Sequence, residues 1–155
     1  MLRFNSDHKF KIMQIADTQE IPAVSPDTLS LINNALDREK PDLVIFTGDQ
    51  IKGYSKKFKK DPAIIESTID ILVEPIAKRN IPFMVTYGNH DAQCGVDNRG
   101  QYKFYAKYDN FISGNLRNAD DVGTADIQIY SSTEDKPVFE LYIIDSHGKA
   151  KDGAG

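Results

Sequence analysis

Apolar residues fall along this chain in two alternating textures. Short apolar runs at residues 10–16, 43–46 and 82–86 are each too short for a helix and each ends in a polar, acidic or glycine-containing turn, the pattern of buried parallel strands. Between them the spacing becomes helical. Ser25-Pro26-Asp27 supplies an N-cap, a proline at the first helical position and a carboxylate in the first turn, after which Leu29, Ile32 and Leu36 recur on one face until Pro41 marks the end. Asp61-Pro62 repeats the cap, and Ile65, Ile69, Leu72 and Ile76 form a stripe that Pro75 is expected to kink or end. Strands alternating with helices predict an α/β fold in which crossover helices join parallel strands.

After residue 91 the texture changes. Residues 101–112 predict an aromatic-rich helix with Phe104, Tyr108, Phe111 and Ile112 on its apolar face, and these aromatics read as core. Residues 127–131 and 138–144 are β-rich and flank Ser132-Thr133-Glu134-Asp135-Lys136-Pro137, a turn signal that predicts a hairpin-like pair.

Composition narrows the function classes. The chain has 155 residues, 40% of them hydrophobic, with 23 Asp and Glu against 19 Lys and Arg and a net charge of −4. That suits one folded domain with a real core rather than a disordered chain. Mild acidity argues against general affinity for nucleic-acid backbones or anionic membranes, while leaving a small phosphate-bearing substrate open. No window approaches the roughly 20 apolar residues of a membrane span, no secretion-signal pattern opens the chain, and the single Cys94 cannot form an internal disulfide. A cytoplasmic protein is the expectation. The cluster Lys52, Lys56, Lys57, Lys59 and Lys60 reads as a solvated loop.

Candidate chemistry gathers where the strands stop. The first runs into Ala16-Asp17-Thr18-Gln19, the second into Thr47-Gly48-Asp49-Gln50, the third into Tyr87-Gly88-Asn89-His90-Asp91. Carboxyl ends of parallel strands lie side by side, so groups 32 and 40 residues apart can converge on one crevice. Carboxylate and amide oxygens suit magnesium, manganese, iron or zinc, and one aspartate can bridge two cations. Two metals could clamp the attacking and leaving oxygens of a phosphoryl transfer.

The ordered set of Asp17, Gly48-Asp49 and Gly88-Asn89-His90-Asp91, each after an apolar strand, resembles the calcineurin-like metallophosphoesterases, and among them the purple-acid-phosphatase-like branch. The resemblance runs from Lys9 to Asp145. It implies a metallophosphoesterase-type α/β sandwich that hydrolyses phosphate mono- or diesters through a metal-activated hydroxide at a dinuclear site of manganese, iron or zinc. Carried residue by residue, it implies that Asp17 binds the first metal, Asp49 bridges both, and Asn89 binds the second. His90 would stabilise the transition state or protonate the leaving oxygen, with Asp91 orienting its imidazole. The implied partner is a phosphate-ester substrate whose identity the loops do not encode.

Two departures qualify the resemblance. Gln19 stands where the family usually has a histidine ligand, and an amide oxygen holds zinc or iron more weakly than imidazole. The family also completes its site with a later histidine and a Gly-His-x-His segment, whereas this chain has only His8, His90 and His147, and His147 has no spacing partner. The expectation is a single metallophosphoesterase domain over residues 1–155, cut short at its carboxyl end, binding metal weakly and turning over little by itself. The alternative is a non-catalytic binding or interaction module that keeps the scaffold.

Overall fold

A computed structural model describes residues 1–116 and 121–147. Its elements are β1 (Leu2–Arg3), β2 (Ile12–Ile15), α1 (Pro26–Glu39), β3 (Leu43–Thr47), α2 (Pro62–Ala77), β4 (Phe83–Thr86), α3 (Asn98–Ala106), β5 (Asn115–Leu116), β6 (Ala125–Tyr130) and β7 (Pro137–Ile143). The helices start where their caps predict. The Ser25 hydroxyl accepts the Asp27 N–H and the Asp61 carboxylate accepts the Ala63 N–H, each relieving one orphan donor of a first turn. Pro75 does not end α2, which continues to Ala77. Standing in the last turn, it costs the helix one hydrogen bond near an end that would fray anyway, and its ring is buried.

β2, β3 and β4 form a parallel sheet with β3 in the centre. Side chains alternate across β3, so Val44 and Phe46 enter a core with Ile32 and Leu36 of α1 and Ile65, Ile69 and Leu72 of α2. Leu43 and Ile45, pointing the other way, pack with Met84 against Leu2, Ile127, Ile129 and Ile143. That second layer is the antiparallel pair β6–β7, flanked by β1, which joins β6 in parallel, and β5, which joins it antiparallel. Helices, parallel sheet and second sheet thus stack as three layers, an α/β sandwich.

Two expectations need correction. β2 is shorter than residues 10–16 and half-exposed rather than buried, because it is the edge of its sheet. The third helix spans Asn98–Ala106, not 101–112: the Asp97 carboxylate accepts the Gly100 N–H and starts it early. Residues beyond it leave the helix to run along β4, where Ile112 N donates to Phe83 O at 2.8 Å and Phe83 N to Asn110 O at 3.0 Å. Tyr108 and Phe111 still reach the core, each edge-on to the Phe83 ring. No helix among the described residues is long and apolar enough to cross a membrane.

Candidate active site

The loops after β2 and β3 stay zipped beyond the strands. Asp17 N donates to Gly48 O at 3.0 Å, Gln19 N to Asp49 O at 2.9 Å and Glu20 N to Gln50 O at 3.1 Å. Within this ladder Asp17, Gln19 and Asp49 take left-handed backbone angles, with φ of 53°, 42° and 52°. Non-glycine residues visit that region rarely, and strain of this kind persists where the surroundings over-determine it. Three candidate ligands in one strained ladder point to a shared task.

The third loop joins through glycine. A Cβ on Gly48 would lie 2.5 Å from Gly88 N, and a Cβ on Gly88 would collide with Asp49 Oδ1, so the two turns meet backbone to backbone. Gly88→Ala is therefore expected to displace the Asp49 carboxylate and cost about 2 kcal/mol. A thermal melt and the amide resonance of His90, which donates to Asp49 Oδ1 at 2.8 Å, check this together. An unshifted resonance at wild-type stability would show that the contact yields.

Asp91 is fully buried beneath the junction. Its Oδ2 accepts from Asp49 N and Gly88 N, both at 2.8 Å, and its Oδ1 accepts from Ile51 N at 3.4 Å. Burial pushes its carboxyl up to about 6, against the pull of those amides, with the Asp49 charge adding to the rise. Asp91 is thus a staple for the loops. It is not placed as the partner of the His90 ring: His90 Nδ1 lies 3.1 Å from Gln93 Oε1, and the ring packs edge-on against Tyr54 with centroids 4.8 Å apart. The side chain against the His90 ring nitrogen is thus Gln93, not the Asp91 that the resemblance implied.

Around this junction the oxygen donors are Asp17, Gln19, Asp49 and Asn89. Asp49 is buried with Oδ1 held by His90, while Asp49 Oδ2 and the exposed Asp17 carboxylate have no hydrogen-bond partner among the described residues. Gln19 Oε1 meets the Tyr54 hydroxyl at 3.4 Å. Unsatisfied carboxylate oxygen beside amide oxygen is a donor set that fits divalent metal ions.

Beside the junction opens a cavity of about 350 Å³ lined by Gly88, Asn89, His90, Gln93, Asn98 and His147. His147, read from sequence as an isolated loop residue, therefore faces the same space as Asn89 and His90. Asp145 fixes its position, accepting the His147 N–H at 2.7 Å and the Asn98 amide at 3.0 Å. Asp121, Asp145 and His147 offer ligating atoms within 4.8 Å of one another. The missed signal was positional, since Asp145 follows an apolar strand just as Asp17 does. Gln93 and Asn98 carry no sequence mark of their own.

A model described as calcineurin-like phosphoesterase matches residues 10–152. Over 181 aligned residues the chain is 28% identical to "Probable inactive purple acid phosphatase 14" of Arabidopsis thaliana, covering 99% of this chain and 44% of that protein. It is 34% identical over 170 residues to "Phosphatase DCR2" of Saccharomyces cerevisiae, covering 94% of this chain and 28% of that one. A shorter match, 28% over 91 residues, covers 57% of this chain and 31% of an "Uncharacterized metallophosphoesterase" of Aquifex aeolicus. The chain spans less than half the length of these curated relatives. A match running from the first core strand past the last strand settles the kinship: the chain belongs to the calcineurin-like phosphoesterase family.

Proposed function

We propose that this chain carries metal-dependent phosphoesterase chemistry, hydrolysing phosphate mono- or diesters at a centre held by Asp17, Gln19, Asp49 and Asn89. Its main support is the convergence of three strand ends on the buried Asp49, whose carbonyl takes the Gln19 amide, whose carboxylate takes the His90 amide and whose own amide is held by Asp91. When bound, metal ions supply Lewis-acid polarisation of the phosphoryl oxygens and acidify a water nucleophile. Asp17 and Asp49 contribute the negative charge of the site, and the Gln19 and Asn89 amides contribute neutral oxygen.

His90 handles the proton. Gln93 Nε2 donates to Asn89 O at 3.2 Å, which turns Gln93 Oε1 toward the imidazole and fixes the proton on His90 Nδ1. Nε2 is then the nitrogen that exchanges a proton with the ester's leaving oxygen.

The test pairs manganese titration by calorimetry with hydrolysis of para-nitrophenyl phosphate and its bis-ester. His90→Ala is expected to keep metal affinity and lose about 100-fold in turnover. Slow hydrolysis that is the same in the wild type and in His90→Ala would sink the enzyme and favour the binding module. The word "inactive" in the name of the Arabidopsis relative fits that second possibility.

A further inference from the structure

We infer that the lysine-rich turn beside the candidate centre is a second anion-binding subsite, selecting phosphoesters whose alcohol side carries a further phosphate or carboxylate. The selection rests on the phosphoesterase function proposed above. The anion site itself rests on the turn.

Lys52, Lys56, Lys57, Lys59 and Lys60 fall within a segment that holds no Asp or Glu, in a chain whose net charge is −4. Elsewhere among the described residues Lys9, Lys11, Lys78 and Lys107 each pair with a carboxylate, while Lys40, Lys103 and Lys136, scattered along the chain, form no ion pair. Lys56, Lys57, Lys59 and Lys60 have no such partner either, and they stand together, with Asp61, which caps α2 through the Ala63 amide at 2.9 Å, as the one carboxylate next to them in sequence. Like charges that outnumber their counter-charge repel one another, and an incoming anion relieves that repulsion.

The turn is shaped, not loose. Buried Phe58 anchors it, the Ser55 hydroxyl accepts the Lys57 N–H, and Lys59 and Lys60 are held in left-handed backbone with φ of 53° and 54°. Its lysines line a concave space: Lys56, Lys59 and Lys60 share with Tyr54, Ser55 and Gln93 a cavity of about 260 Å³. Gln93 lines both this cavity and the one beside Asn89 and His90. Tyr54 spans the same boundary, with its ring on His90 and its hydroxyl on Gln19. An ester phosphate at His90 would thus have the lysine cavity as its immediate neighbour, across a single glutamine.

Amide-resolved NMR titrations of the full chain, with magnesium present, test this using glycerol 2-phosphate, 3-phosphoglycerate and 2,3-bisphosphoglycerate. All three are expected to shift Asn89 and His90, while only the two bearing an additional anionic group shift Ser55, Lys56 and Lys60. Both carry the carboxylate, so tighter binding of 2,3-bisphosphoglycerate than of 3-phosphoglycerate measures what the second phosphate adds. The triple variant Lys56→Gln, Lys59→Gln, Lys60→Gln keeps the backbone and is expected to weaken 2,3-bisphosphoglycerate about tenfold while leaving glycerol 2-phosphate unchanged. Equal weakening of both ligands, or of neither, overturns the subsite. So does sodium chloride giving the same shifts at matched ionic strength. A responding lysine turn with Asn89 and His90 silent overturns the phosphoesterase function instead and retains the anion site.

Discussion

Asp91→Ala is expected to lower stability by about 4 kcal/mol and the melting temperature by about 10 °C. The carboxylate accepts the backbone amides of Asp49, Gly88 and Ile51 in a place without solvent, and alanine leaves those donors unsatisfied. Asparagine separates hydrogen bonding from charge. Its single oxygen can take the place of Oδ2 and keep the two 2.8 Å bonds, leaving its NH₂ against Ile51 N, where the native contact is already long at 3.4 Å. Asp91→Asn should therefore cost only about 1 kcal/mol. The pH dependence has a definite sign. Burial raises the folded carboxyl to about 6 from an ordinary 3.8, so its stabilising contribution is complete below about pH 4 and is lost as pH rises through 6. Denaturant melts in chelating buffer between pH 4 and 7 should show that slope in the wild type and a shallower one in Asp91→Asn. An alanine variant as stable as the asparagine one would refute the staple.

Asp49 is where substitution should most damage ligand binding. Asp49→Asn is expected to weaken manganese binding at least 100-fold, against about tenfold for Asp17→Asn. The difference follows from burial, since Asp49 is 7% exposed and Asp17 is open to solvent. A carboxylate in low dielectric interacts with a cation more strongly than one in water. Asparagine still offers an oxygen to the His90 N–H, so the fold is expected to survive and the loss to report on the ligand rather than on collapse. Calorimetric titration with thermal melts as control measures this. Wild-type affinity in a folded Asp49→Asn would remove Asp49 from the centre.

How much of this was legible in the sequence differs from element to element. β3, β4, α1 and α2 were, because each is a buried apolar run or a capped stripe whose period matches its geometry. The end of α3 was not: Tyr108, Phe111 and Ile112 continue a helical spacing, yet they reach the core from a turn and the short stretch after it that is held to Phe83, and tertiary pairing overrides the period there. β1 and β5 are two residues long, too short for any period to show. Asp17, Asp49, Asn89 and His90 announce themselves by standing after strands. What Asp91 does could not be inferred from its place beside a histidine, since its partners are backbone amides three, 40 and 42 positions away. Gln93 and Asn98 become visible only once the chain has closed around a cavity.

The ladder that continues from β2 and β3 into their loops has a thermodynamic consequence. Loops at a protein surface ordinarily open on their own, with little free energy separating the closed form from the open one. Here the amides of Asp17, Gln19 and Glu20 are tied to the segment after β3, so freeing any of them means unpairing two neighbouring segments together. The edge that carries Asp17 and Gln19 then belongs to the same cooperative unit as the parallel sheet, and its amides should exchange with solvent on the slow timescale of core strands. Such an edge meets its ligand already assembled, and little of the binding energy is diverted into ordering it.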